Sequence, residues 1–163
     1  MGGSLIGKAA EGVSTLVLDG PRLLAMVRIG LGLWWLESWR HKDKKGWFQR
    51  GTGIAWAQSV ADKHKWSFVT KGFDKVVAPR PKAVAYLVVY AELAIGLGLV
   101  AGFLTPIAAG GALLLSVLYF VLMINDWAEQ GQNAMMALLE LAVILLVANQ
   151  TWSVDHALGI LGG

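Results

Sequence analysis

The chain contains no cysteine. Disulfides, thiol redox chemistry, iron–sulfur ligation and a thioether-linked haem are therefore excluded, and cysteine usage gives no reading of the redox compartment. Histidine is scarce. His41, His64 and His156 all lie outside the apolar segments, which argues against a bilayer haem held by two helix histidines. Charge is thin, at 15% of residues against roughly a quarter in soluble domains, and no lysine or arginine follows Lys82. No secretory signal is visible. MGGSLIGKAAEGVSTLVLDG carries Lys8 but no compact apolar core and no cleavage site. Gly2 hints at a myristoylation motif, yet Ile6 stands where serine or threonine is required.

What is abundant is apolar surface. Hydrophobic residues make up 56% of 163 positions, and the mean hydropathy is +0.56. That length fits one domain, and a soluble domain of this size cannot hide so much apolar surface. Lipid is the expected solvent. A bilayer core needs about 20 apolar residues per helix, and four stretches qualify: near 21–39, 81–104, 106–124 and 133–149. Pro21 and Pro81 suit helix starts. At Thr105-Pro106 threonine can cap the third helix, with proline at its first position. Helices two and three form a tight hairpin, because one continuous helix would span twice the hydrocarbon core. A soluble helical bundle is the rival, but it would need polar outer faces, which the third and fourth stretches lack. The expected fold is all-α: an integral membrane four-helix bundle forming a single domain.

The loop at 40–80 is basic and aromatic. Between Arg40 and Lys82 lie eleven of the 14 lysines and arginines. A basic stretch between membrane segments points to lipid headgroups rather than nucleic acid. Trp66, Val69, Phe73, Val76 and Val77 recur at helical spacing, with Lys71 and Lys75 off that stripe. This predicts an amphipathic interfacial helix in the first loop; a helix packed on a partner or on the core is the alternative. Near the end, Ser153 can cap a short turn with Val154, Ala157, Leu158 and Leu161 on one side.

Arg28, Glu92 and Glu140 fall inside apolar helices. A charge there costs about 2.5–3.5 kcal/mol on insertion scales, so each must find a partner, take a proton, or face water or a ligand. Together they predict either a buried ionic clasp or a pocket for a quinone headgroup, a small anion or a transferred proton. Gly32, Gly96, Gly98 and Gly102 predict close helix packing, with Gly98 and Gly102 in a small-xxx-small spacing. Trp34, Trp35, Glu37, Trp39 and His41 cluster where the first helix ends. They read as an aromatic belt, or as contacts to a quinone that stacks on tryptophan and accepts a hydrogen bond from His41. No metal site is expected.

The runs VRIGLGLWWLESWRHK, AELAIGLGLVAGFLTPIAA and TWSVDHAL resemble the DoxX/DoxD family, over about Arg22 to Leu158. The most specific pieces are Glu92, Gly96 and Gly98, the GFLTP turn, and the Ser153-x-Asp155 ending; Arg28 and Gly32 match the expected first helix. Lys42 stands for the lysine expected after that helix, although the glycine that should precede it is replaced by a polar stretch. The resemblance implies four transmembrane helices, a prokaryotic cytoplasmic membrane, and association with membrane oxidoreductases; the family includes the small subunit of thiosulfate:quinone oxidoreductase. Three functions follow: an accessory subunit of a larger redox or energy-converting complex, a thiosulfate:quinone oxidoreductase needing a partner subunit, or a small proton-coupled transporter using Glu92 and Glu140. Quinone is the one cofactor implied, bound without a covalent link; lipids and other complex subunits are the implied partners.

The positive-inside rule places the basic loop in the cytoplasm and both termini outside. Labelling of Ser59→Cys, in a chain without native cysteine, checks this: a thiol reagent reaches it only from the cytoplasmic side, and reaction from outside alone reverses the orientation.

Overall fold

The computed structural model describes residues 19–146 and 151–160. The readings for residues 1–18, the end of the span near 133–149, and Leu161 lie outside them. All the regular structure described is helical: α1 (Gly20–His41), a π-helical turn (Gly46–Arg50), α2 (Thr52–Asp62), α3 (Ser67–Val76), α4 (Pro81–Ala101), α5 (Thr105–Leu122), α6 (Trp127–Leu145) and the short α7 (Val154–Ala157).

Local chemistry sets the boundaries. Asp19 caps α1 by accepting from the Arg22 amide at 2.9 Å, with Pro21 in the first turn. Helix α4 ends at Gly102, whose φ of +63° is the left-handed conformation that glycine adopts freely. Helix α6 starts before the apolar run, because the Asp126 carboxylate accepts from the Ala128 and Glu129 amides. The polar WAEQGQN stretch therefore forms its opening turns rather than a loop. Thr105 does not cap α5. It is the first helical residue, Leu104 precedes it at φ +48°, and the cap comes from elsewhere in the chain.

Helices α4 and α5 are long and apolar enough to cross a membrane, with mean hydropathies of 2.0 and 1.9. Only 33% and 22% of those windows are buried. The core helix of a soluble protein would be mostly covered; these helices leave most of their residues incompletely covered and expose large apolar side chains, including Leu87, Leu97, Ile107, Leu114 and Leu118. That pattern belongs to helices solvated by lipid.

The four long helices close a ring: α1 packs on α4, α4 on α5, α5 on α6, and α6 back on α1. Leu31, Trp35, Ile95, Leu99, Ala109, Ala112, Met136 and Val143 form the core. The α1–α4 contact depends on two glycines. A Cβ on Gly32 would stand 2.7 Å from the Val100 amide nitrogen and 2.9 Å from the Gly96 carbonyl oxygen; a Cβ on Gly96 would stand 2.7 Å from Leu36 Cγ. Gly98 lets α5 approach in the same way, with Ala108 Cβ at 2.9 Å from where its own would be.

The loop folds into α2 and α3. In α3 the half-buried Val69, Phe73 and Val77 share the side of Thr70, whose hydroxyl donates to the Ala61 carbonyl of α2 at 2.8 Å. Much of the stripe seen in the sequence is thus spent on α2, although no α3 residue is fully buried.

Gly32→Ala must push two backbones apart, so it is expected to destabilise the protein by about 1–3 kcal/mol in detergent unfolding. Gly30→Ala, where a Cβ meets nothing within 4 Å, is expected to leave stability unchanged.

Candidate functional site: two buried polar clusters

The three buried charges named from the sequence divide between two places. Arg28, fully buried on α1, faces the turn between α4 and α5. Its Nη2 donates to the Trp152 carbonyl at 2.6 Å and its Nη1 to that of Thr151 at 3.4 Å. Behind them sits Asp155, also fully buried. Its carboxylate accepts from the Leu104 and Thr105 amides, both at 2.8 Å, and its own amide donates to the Gly102 carbonyl at 2.9 Å. A carboxylate on the first amides of a helix meets both the orphan N–H groups and the positive end of the dipole. Leu104 and Trp152, the two described non-glycine residues with positive φ, both belong to this knot. Left-handed backbone costs each about 1–2 kcal/mol, which the charged hydrogen bonds offset. Gly102 is required here for space as well, since a Cβ would run into Ser153 and the Arg28 guanidinium. Ser153 caps α7 by accepting from the His156 amide at 3.0 Å.

Glu92 and Glu140 belong to a second cluster. Glu92 on α4 is fully buried; Lys42, just past α1, donates to its Oε2 at 2.5 Å, and the Tyr119 hydroxyl of α5 donates to its Oε1 at 3.0 Å. Lys42 also donates to Ser38 Oγ at 3.1 Å and lies 5.4 Å from the centre of the Trp47 ring. Glu140 on α6, again fully buried, accepts at Oε1 from Trp35 Nε1 at 2.9 Å. The Trp35 and Tyr119 rings are 6.4 Å apart and link the two carboxylates. Among the described residues, neither the hydroxyl of Ser116, one turn before Tyr119, nor Glu140 Oε2 has a hydrogen-bond partner.

The tryptophans of α1 separate in the same way. Trp35 is 2% exposed and Trp34 48%. Trp34, Glu37 and His41 fall at i, i+3 and i+7, on one outward face. Glu37 holds Arg40 at 2.6 Å and His41 at 3.2 Å. Trp39 is half-buried under the Lys44 ammonium, 4.1 Å from its ring centre. Lys44 caps the end of α1 through the Trp39 and Arg40 carbonyls; burial, then the neighbouring Lys42 charge, lowers its pKa from the usual lysine value. Phe48, in the π-helical turn, stacks on Tyr86 at 4.2 Å and brings the loop down onto α4.

A described fold built of helices, with membrane-length helices that expose apolar side chains and with the charged residues of its apolar stretches, Arg28, Glu92 and Glu140, buried inside, is that of an integral membrane protein. Its family is equally plain: the DoxX family model matches residues 23–125, from α1 through the end of α5, and the chain belongs to that family. No curated protein and no solved structure matches it. The partners that residue-by-residue reading missed are Tyr119 and the Asp155 cap. The Lys42–Glu92 pair spans 50 positions, and no periodicity reports a contact at that range; the one sequence signal for Lys42 and Asp155 was the family resemblance.

Trp35→Phe removes the indole N–H that donates to Glu140 and is expected to cost about 1–3 kcal/mol. Glu140→Gln stays neutral, can still accept from Trp35, and gains an N–H for the Ser116 hydroxyl. Thermal unfolding in detergent should show it as stable as the parent or more so.

Proposed function

We propose that this chain is an accessory subunit of a membrane-bound redox or energy-converting complex, with all four long helices crossing the bilayer and α2–α3 lying at its surface. One observation carries this reading: each buried charged side chain in the bundle is engaged by an internal partner. Arg28 holds main-chain carbonyls, Glu92 holds Lys42 and Tyr119, and Glu140 holds Trp35. Groups spent this way hold helices in register rather than turn over a substrate. With no cysteine in the chain, the thiol and iron–sulfur chemistry of such a complex belongs to other subunits. The outward apolar faces of α5 and α6 suit lipid and partner helices alike.

A second reading, closer to the thiosulfate:quinone oxidoreductases of the DoxD type, draws on the outer face of α1. A quinone ring does not fit the inner cluster, whose Trp35 and Tyr119 donors are already used and whose atoms are buried. It fits the outward face better. Trp34 offers a flat surface, Gly30 one turn away leaves open space, and His41 is exposed where α1 ends. A membrane quinone bound there would supply two-electron, two-proton chemistry. Trp34 would stack on the ring, and His41, steadied by Glu37, would hold a proton at a ring oxygen.

Purification in mild detergent tests the proposal. The accessory reading predicts redox subunits in fixed ratio with this chain, and loss of their quinone reductase activity when it is deleted. The pure chain reducing quinone with thiosulfate would overturn it in favour of an enzyme, and proton-coupled uptake by the pure chain in proteoliposomes would overturn it in favour of a transporter. If the outer face of α1 takes the quinone, Trp34→Leu raises the quinone KM of the complex about three- to tenfold, and an unchanged KM removes that site.

A further inference from the structure

Three members of the α3 stripe, Val69, Phe73 and Val77, are half-buried, whereas the other two, Trp66 and Val76, are exposed and belong to a second face of the helix. Phe68, Gly72 and Val76 fall at i, i+4 and i+8 and form one ridge; Lys71 and Lys75 form the next. All five are exposed, Phe68 at 65% and Val76 at 62%. Trp66 is also exposed and stacks on Phe68 at 5.6 Å, extending the apolar ridge beyond the helix start. A short helix with two large aromatic rings and a valine turned outward beside lysines is amphipathic a second time, on the face away from the protein.

Two attachments fix where this ridge lies. At one end, the His64 ring is held between α3 and α5: its Nδ1 accepts from the Trp66 amide at 3.0 Å, so its Nε2 carries the hydrogen and donates to the Val121 carbonyl at 2.8 Å. Val121 belongs to the last turn of α5, one of the two membrane-length helices. At the other end, Val76 is five residues from Pro81, where the second membrane-length helix, α4, begins. Five residues span at most about 18 Å. The α3 segment is therefore tied at both ends to the level where those helices meet the bilayer surface. Charge names the occupant. From Lys63 to Lys82 the chain has six basic residues and a single acid, Asp74, whose carboxylate is taken up by Gln58 at 2.9 Å.

We propose that the Trp66–Phe68–Val76 ridge of α3, with Lys65, Lys71 and Lys75, docks on anionic phospholipid headgroups. This rests on the reading of the bundle as membrane-spanning and adds what that reading leaves open: the lipid class and the face that meets it. The rings enter the headgroup layer while the lysine stems reach the phosphates. Docking is thus conditional on lipid charge, in contrast to the spanning helices, whose insertion depends on hydrocarbon alone.

A spin label tests it. Gly72→Cys places the label on the ridge, where a Cβ meets nothing within 4 Å, in a chain with no other cysteine. The full-length protein is reconstituted in nanodiscs of phosphatidylcholine, alone or mixed with phosphatidylglycerol, and exposure to a water-soluble paramagnetic reagent is compared with exposure to oxygen. With phosphatidylglycerol present the label is shielded from water and open to oxygen. Each lysine near an anionic surface contributes roughly fivefold to docking, so Lys71→Gln with Lys75→Gln lowers the docked-to-free ratio by roughly 25-fold. Equal shielding in neutral and anionic discs, or shielding that survives loss of both lysines, overturns the proposal. So does shielding seen only when a partner subunit is present, which would make the face a protein contact. A second label at Leu118→Cys, exposed on α5, separates this proposal from the reading beneath it. Its shielding in every disc leaves the spanning bundle standing even if Gly72→Cys proves open to water; its exposure to water overturns both.

Discussion

A carboxylate inside an apolar helix bundle must be met by a hydrogen-bond donor, and much of this structure follows from meeting that demand twice. Glu92 and Glu140 are completely buried. Glu92 takes one donor from α5, the Tyr119 hydroxyl, and a charged one from Lys42 because the chain after α1 turns back over α4, with Phe48 stacked on Tyr86 to hold it there. A donor can reach Glu140 only if α1 comes close and turns a long polar-tipped ring inward, which is the place of Trp35. Both need the near contact of α1 and α4 that Gly32 and Gly96 permit. The glycines, the inward tryptophan and the folded loop are one solution to one problem.

The far end of the bundle meets the same kind of demand with different groups. There the exposed ends are backbone: the amides opening α5 and the carbonyls of Thr151 and Trp152. Asp155 supplies the acceptor and Arg28 the donors. The C-terminal turn is thereby built into the bundle, tied at once to α1 and to the α4–α5 turn. A helix end at the edge of a membrane is otherwise satisfied by water; here the chain satisfies it internally, at the cost of two left-handed non-glycine residues.

What could be read from the sequence was whatever has a local period or a local cost. Apolar length placed the long helices, because the requirement is met residue by residue along one segment. The burial of Arg28, Glu92 and Glu140 could be anticipated because each interrupts such a segment. Their grouping could not. Arg28 packs beside Gly102 and donates to the Thr151 and Trp152 carbonyls, while Glu92 meets Lys42 and Tyr119 and Glu140 meets Trp35, and only the packing of the ring decides that. Trp34 and Trp35 show the limit most clearly. They are adjacent and identical in kind, on a helix apolar over most of its circumference, so the spacing of apolar residues does not tell which one turns inward. The stripe in the first loop falls on a helix, α3, but a stripe does not say what receives it: Val69, Phe73 and Val77 are half-buried, whereas Trp66 and Val76 are exposed. The family resemblance carried information that periodicity lacked, since it singled out Lys42 and the Ser153-x-Asp155 ending without giving their partners.

The loop is fastened to the bundle through Lys42 and Glu92. A double-mutant cycle with Lys42→Met and Glu92→Gln, read as unfolding free energy in mixed micelles, measures that bond directly. A coupling of about 1–3 kcal/mol is expected, with the double variant more stable than the sum of the single losses implies. Additive losses, with no coupling between the two positions, would contradict it.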